Sequence, residues 1–335
     1  MSEIRRDYLV DRWVIIATER RKRPSDFKVE RFKRDDVEKC PFCPGNEHMT
    51  PPATLLYIHK NGDILTDRDR EDFIHKEWDL RVVRNLYPAL SPSDKFERFD
   101  EGLKVWRDGV GEHEVIIETA KHDGHIQVSD EKQVNLVFRA YLDRFNALKE
   151  LPFVKYISVL RNYGKEAGAS LTHPHSQVVA VPMVPERISE EVKVCEESWN
   201  GETCIYDQVV ESEASSDRFI SENKSAVAFC PFASSRSFEV WILPKRHLHN
   251  IAQFTVVERK DFANLTRKIL GAYYSVLGDP PYNYTFQQTI SNEKYHLQLR
   301  LYPRLIIHAG FEINTGIIIN PMRPDDAASF LREAV

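Results

Sequence analysis

Laid over Phe238-Glu239-Val240-Trp241-Ile242, the segment His113-Glu114-Val115-Ile116-Ile117 matches Glu to Glu, Val to Val and Ile to Ile, and the same offset carries His122 onto His247 and Ile126 onto Ile251. Helical spacing follows in each stretch, through Val134, Phe138, Tyr141, Leu142, Phe145 and Leu148 in the first and Phe262, Leu265, Ile269, Leu270 and Tyr273 in the second. A strand pattern comes next, Tyr156 to Leu160 or Tyr282 to Phe286. The match returns where His175-Ser176-Gln177 and a run ending in Pro182 face His296-Leu297-Gln298 and a run ending in Pro303. A chain that writes strand, helix, strand, strand twice is constrained to an α+β fold of two like units, each an antiparallel sheet with a packed helix. The expected division is residues 1–185, a linker or excursion over 186–216 that is rich in Glu and Ser, and residues 217–335.

Alternation also predicts strands at Trp13 to Ala17 and Gly316 to Ile319, with loops over Lys60 to Asp72 and Ser91 to Gly109. A net charge of -5 argues against a nucleic-acid partner, since no global basic field is present. No apolar stretch approaches the roughly 20 residues of a membrane helix, and Met1 to Asp7 is polar, so no membrane partner and a cytoplasmic location are expected. Five cysteines in such a chain are thiols or metal ligands rather than a disulfide framework.

Chemistry concentrates at Thr172-His173-Pro174-His175-Ser176-Gln177, two imidazoles two residues apart at the start of the apolar run Val178-Val179-Ala180-Val181. Histidine binds metals, moves protons and attacks phosphorus or carbonyl carbon. Cys40-Pro41-Phe42-Cys43 followed by Pro44-Gly45 forms a knuckle that can grip one zinc ion, with His122 and His173 as candidate remaining ligands. Redox pairs share the Cys-x-x-Cys spacing, but no thioredoxin-like strand and helix surround this one. If His173 holds the metal, His175 is left free to react. Cys195, Cys204 and Cys230 read as buried or incidental thiols, and His247 as a residue without metal. Arg20-Arg21-Lys22-Arg23-Pro24 ends the strand that begins at Trp13 and offers guanidinium forks that match phosphate, while Asn162-Tyr163-Gly164 and Ala167-Gly168-Ala169-Ser170 form a small-residue loop whose amides and hydroxyl can approach phosphates. Neither a Walker loop nor a dinucleotide fingerprint occurs.

His173-Pro174-His175-Ser176-Gln177, taken with Cys40-x-x-Cys43 and Arg20-x-x-Arg23-Pro24, resembles the galactose-1-phosphate uridylyltransferase branch of the histidine-triad superfamily from about Arg6 to Phe330. The resemblance implies two fused histidine-triad-like domains, commonly a homodimer with sites completed across the interface. It implies transfer of UMP from UDP-glucose to galactose 1-phosphate, with UDP-hexose and hexose 1-phosphate as partners, zinc as cofactor and a place in galactose metabolism. By the same resemblance His175 is the nucleophile, Gln177 holds phosphoryl oxygens, and Ser170 and Asn162 are phosphate-side contacts. Arg20 and Arg23 lie near the phosphates, Asn85 contacts ribose, Glu312 contacts hexose hydroxyls, and Cys40, Cys43, His122 and His173 bind zinc. The chain departs from the bacterial transferases with Ser176 in place of Gly, Leu86 in place of Asp, and Gln298-x-Arg300 in place of the His-x-His of a second metal site. Ser176 and Gly310-Phe311-Glu312 also resemble adenylyl-transferring relatives that phosphorolyse ADP-glucose, so an ADP-sugar phosphorylase is the competing expectation. A nucleotide hydrolase and a zinc-dependent nucleotide-binding module without catalysis are further alternatives.

Overall fold

The structure is a computed structural model that describes residues 2–20, 24–27, 36–93 and 96–335. In chain order it runs β1 (Glu3–Arg6), β2 (Trp13–Ile16), β3 (Ala53–Lys60), β4 (Asp63–Asp67), β5 (Leu80–Arg84) and a hairpin of β6 (Arg98–Glu101) with β7 (Lys104–Arg107). The first repeated stretch is β8 (Glu112–Ile117), α1 (Glu131–Leu148), β9 (Tyr156–Tyr163) and β10 (His175–Val181). Then come α2 (Glu186–Ser198), α3 (Ile205–Ala214), β11 (Phe219–Glu222) and β12 (Ala226–Phe229). The second stretch is β13 (Val240–Pro244), α4 (Val256–Leu277), β14 (Tyr282–Gln287) and β15 (Gln298–Pro303), followed by α5 (Gly310–Thr315), β16 (Ile318–Asn320) and α6 (Pro324–Arg332). The expected order of strand, helix, strand, strand is therefore met in both stretches.

Eleven strands join in one antiparallel sheet, ordered β11-β12-β13-β15-β14-β9-β10-β8-β5-β3-β4. The two stretches meet edge to edge, because β9 pairs with β14 through Asn162 opposite Asn283 and Leu160 opposite Thr285. A separate small sheet orders β1-β2-β16, with β16 parallel to β2.

Period-2 alternation sorts the side chains of the large sheet onto two faces. One face carries Val178, Ala180, Ile157, Val159, Tyr284, Phe286, Leu299 and Leu301, all buried in a single core with α1 and α4. Asp130 caps α1 by accepting from the Gln133 amide, while Thr255 and Glu258 form a reciprocal capping box on α4, which ends at Gly278 with φ of 74°. The opposite face is covered only at its ends. Leu9, Cys195, Cys204, Tyr206, Phe229, Trp241 and Leu243 pack one end, and Ala53, Leu56, Trp78, Val115 and Ile117 the other. Between them β10, β9 and β14 present His175, Gln177, Asn162, Asn283 and Thr285 on one polar stretch.

Three loop expectations are corrected. The 186–216 segment holds two helices, which bury Ile188, Cys195, Tyr206, Val209 and Val210 against the sheet. Glu-rich composition masked that stripe, and one of those acids, Glu191, is itself buried in an ion pair with Arg300 at 3.0 Å. Lys60 to Asp72 contains β4, joined to β3 through Asn61 and Gly62 at φ of 55° and 90°, the two-residue hairpin turn that positive φ favours. Ser91 to Gly109 contains the β6–β7 hairpin.

Candidate functional site

The knuckle is assembled by short-range bonds. Cys43 N–H donates to Cys40 O at 3.2 Å and Asn46 Nδ2 donates to Cys40 O at 3.0 Å. Buried Glu47 accepts from Gly45 N–H, Lys76 Nζ and Trp78 Nε1 and so fastens the turn to the strands below. Two distant loops complete the cluster: Cys43 Sγ lies 3.2 Å from His122 Nδ1 and 3.5 Å from His173 Nδ1, and Cys40 Sγ lies 3.7 Å from His173 Nδ1. An ion bonded tetrahedrally at about 2.1 Å to nitrogen and about 2.3 Å to sulfur spaces such ligands about 3.6 Å apart. The four residues could therefore hold a metal ion. Burial and the neighbouring Cys40 push the Cys43 thiol up to about 12, so in this dry spot a cation is what favours the thiolate. His173 Nε2 donates to Thr119 O at 2.8 Å, which leaves the Nδ1 lone pair on the thiol side, and burial holds its pKa down at about 4.

His175 opens β10, and its Nδ1 donates to His173 O at 2.8 Å. The proton is thereby held on Nδ1, and Nε2 is left as the lone-pair atom. Burial lowers the His175 pKa, which keeps the ring neutral. The ring stands between two cavities. One, of about 540 Å³, is lined by His125, Arg161, Asn162, Thr172 and Asp279. The other, of about 460 Å³, is lined by Phe42, Asn85, Leu86, Tyr87, Ser170 and Gln177. Phe42 touches the His175 ring edge-on with centroids 5.4 Å apart, which ties the knuckle to that ring. An apolar wall of Phe42, Leu86 and Val115 beside a few polar groups suits a nucleoside, and the more polar cavity suits phosphate and sugar.

His113, unassigned from sequence, links two expected contacts. Its Nε2 donates to Gln177 Oε1 at 2.8 Å, Nδ1 lies 3.4 Å from Ala89 N–H, and Asn85 Nδ2 lies against the ring, 3.1 Å from Nε2 and 3.4 Å from Nδ1. The bond turns the Gln177 oxygen toward His113 and the amide hydrogens away from it. Period-2 spacing from Val115 was the available signal, because His113 shares the face of Gln177 across the β8–β10 ladder.

Ser176 points the other way. It is fully buried among Glu118, Tyr141 and Tyr284 on the α1 side of the sheet. Glu118 also accepts from Arg161 Nε at 2.9 Å, a buried ion pair beneath β10. Ser176 thus braces β10 rather than facing either cavity.

Of the other expected residues, Ser170 and Asn85 line the second cavity and Asn162 the first, where its Oδ1 accepts from Asn283 Nδ2 at 2.8 Å. Glu312 lies on α5, accepts from Ala309 N–H at 3.0 Å and lines neither cavity. Arg23 and the side chain of Arg20 lie outside the described residues. His296 is fully buried with Nε2 3.4 Å from Asp207, and it too lines neither cavity. Cys204 is fully buried, as expected of it, but the reading of His247 as without metal ligands nearby is corrected: Cys204, Asp207 and His247 bring their ligand atoms within 4.8 Å and could hold a metal ion. The adjacent Cys195 thiol draws Cys204 down to about 6; burial opposes charge on His247, but bonds to Asp207 and Cys204 hold it up at about 10. Only folding of α3 against the sheet brings these residues together.

Residues 112–334 match a family described as a domain of unknown function, DUF4921. The chain is 35% identical to an ADP-glucose phosphorylase of Arabidopsis thaliana, over 99% of this chain and 92% of that protein. It is 32% identical to a galactose-1-phosphate uridylyltransferase of Thermotoga maritima, over 99% and 98%. Among solved structures, an Arabidopsis thaliana ADP-glucose phosphorylase with bound ADP-glucose superposes with a TM-score of 0.79 at 30% identity, covering all of both chains. A uridylyltransferase superposes at 0.74 and 26% identity, covering all of this chain and 98% of the other.

Proposed function

The chain belongs to the galactose-1-phosphate uridylyltransferase family, and we propose that it moves a nucleotidyl group from a nucleoside-diphosphate hexose to a second phosphate acceptor through a covalent bond to His175. The observation that carries this reading is the His175 ring, locked by its 2.8 Å bond to His173 O with Nε2 left unprotonated between two cavities. In the first half-reaction Nε2 attacks the α-phosphorus, the P–O bond to the leaving hexose 1-phosphate breaks, and the electron pair departs with that oxygen. The positive charge gained by the ring is stabilised by the Nδ1–H bond to His173 O. In the second half-reaction a phosphate oxygen of the acceptor attacks the same phosphorus and the P–N pair returns to Nε2, which gives ping-pong kinetics. Gln177 and Ser170 would donate to the non-bridging oxygens as their charge grows, a role commonly worth about a hundredfold or more in rate per donor. Asn85 would take the ribose, Asn162 the phosphate side, and Arg20 and Arg23 would add charge there. Glu312, which lines neither cavity, would reach a hexose through a homodimer that completes each site. Cys40, Cys43, His122 and His173 would hold zinc, whose part is to clamp the loop that carries His173 and Phe42.

In its uridylyl form the reaction moves UMP from UDP-glucose to galactose 1-phosphate. The adenylyl form, with AMP passing from ADP-glucose to inorganic phosphate, is supported by the 35% relative and by Leu86, which adds apolar surface where the bacterial transferases carry Asp. Intact-mass measurement after exposure to UDP-glucose, UDP-galactose or ADP-glucose without acceptor tests both forms. A UMP-sized adduct supports the first and an AMP-sized adduct the second, each absent from His175→Ala; no adduct with any donor overturns the proposal.

A further inference from the structure

Two strands across from Gln177, on the same face of the sheet, another cavity of about 400 Å³ opens over β14 and β15. Gln177 pairs with Leu160 and Leu160 with Thr285, which lines this cavity, so the spacing from Gln177 to Thr285 is about 10 Å. Asn283, which also lines it, donates to Asn162 of the His175 cavity at 2.8 Å, so the two spaces border one another at that amide pair.

Four guanidinium groups line the cavity, from Arg12, Arg187, Arg236 and Arg304, and no carboxylate does. Arg12 pairs with Asp7, and Arg187 with Glu191 at 3.1 Å. Among the described residues Arg236 and Arg304 have no ion pair; Arg236 Nη1 instead contacts the His308 ring. Burial, with Arg304 and Arg12 close by, lowers the Arg236 pKa against the opposing field of buried Glu239, as expected where cations crowd. Three buried donors, Arg12 Nε, Arg187 Nη2 and Tyr302 Oη, find no hydrogen-bond partner among the described residues. Buried donors are normally satisfied, so unsatisfied ones on residues that line a basic cavity mark a place for an acceptor. Thr285 Oγ1 already accepts from Gln287 Nε2 at 2.8 Å, which leaves its O–H to donate.

We propose that this cavity is a second anion site that binds a phosphate dianion, free or as the monoester of a small sugar. Planar guanidinium forks and hydroxyl donors arranged around one space match the acceptor-only oxygens of a tetrahedral phosphate. The volume exceeds that of phosphate alone, and Gln287 on the lining is suited to a sugar hydroxyl. The site stands independently of the reaction assigned to His175.

Isothermal titration of the full chain with inorganic phosphate, and separately with glucose 1-phosphate, tests the proposal. Binding should survive Gln177→Ala and weaken at least tenfold in Arg304→Gln, where the replaced side chain is exposed and the fold is not at risk; Arg236→Lys, which keeps charge but loses the fork, should weaken it too. Tighter binding of glucose 1-phosphate that Gln287→Ala abolishes would identify the monoester as ligand, and equal binding of both would identify phosphate itself. Unchanged phosphate affinity in both arginine variants, with normal thermal unfolding, would overturn the proposal. So would an Arg304→Gln variant that alters self-association in sedimentation but not phosphate binding, which would make the cavity an interface with a second copy.

Discussion

Replacing His113 isolates the orientation of Gln177 from its presence. In the intact chain the 2.8 Å bond from His113 Nε2 occupies Gln177 Oε1, so the amide hydrogens face away from His113. In His113→Ala the bond is lost, at a stability cost of about 0.5–1.5 kcal/mol because Gln177 is half-buried and water replaces the partner only in part. The rate should suffer more than the stability. An amide free to flip presents its oxygen to a phosphoryl oxygen part of the time, and the donor is no longer aligned when charge develops. The ceiling on the loss is the full worth of the donor, about 10²–10³ in kcat; partial misorientation should cost about tenfold, or about 1.4 kcal/mol, with KM nearly unchanged. The assay is steady-state kinetics on His113→Ala, Gln177→Ala and the double variant. If His113 acts through Gln177, the double variant is no slower than Gln177→Ala alone, since there is nothing left to orient. Losses that multiply in the double variant, or a kcat unaffected by His113→Ala, would refute the reasoning.

Two further outcomes follow from the geometry. If the cluster holds a metal, Cys43→Ser should lose it and lower the midpoint of thermal unfolding, because buried His173 and half-buried His122 are left facing one thiol; elemental analysis with calorimetry checks this, and full stability and activity without metal would count against a structural ion. Glu258 is held by its bonds to Arg246 and, against the opposing effect of burial, by the Thr255 cap, so its pKa falls to about 2. A lowered carboxylate pKa stabilises the fold above the unfolded value near 4.5 and loses that contribution as pH falls toward 2. Glu258→Gln should therefore cost about 1 kcal/mol at pH 7 and nothing near pH 2, as read by urea unfolding across that range; a cost independent of pH would assign the effect to helix packing.

Much of the site was legible without tertiary information. The Cys-x-x-Cys knuckle, the paired histidines and the repeated order of strand, helix, strand, strand are short-range patterns, and each names its own chemistry or period. The match of His122 to the knuckle came from residue type alone, and the structure places it 3.2 Å from Cys43. Other features had no local signal. Cys204 and Asp207 share the first turn of α3, but His247 stands 40 residues from Asp207 and meets them only because α3 folds onto the sheet. The helices of 186–216 hide behind surface glutamates, since an amphipathic stripe with a buried ion pair does not alternate as a simple apolar face does.

Ser176 and His113 mark the boundary between the two kinds of information. Alternation along β10 dictates that His175 and Gln177 share one face and Ser176 the other, whatever the rest of the chain does. Which face is solvent and which is core depends on where α1, α4 and the α2–α3 pair pack, and both faces of this sheet are partly covered. The amino-acid order by itself determined the repeated order of strand, helix, strand, strand, the knuckle and the strand that carries His175 and Gln177. Tertiary packing decided that Ser176 braces the strand against Glu118, that His113 aims Gln177, and that four arginines from distant segments share one cavity. Those contacts join residues far apart in the chain, where no periodicity reaches and only the burial of apolar surface elsewhere brings them together.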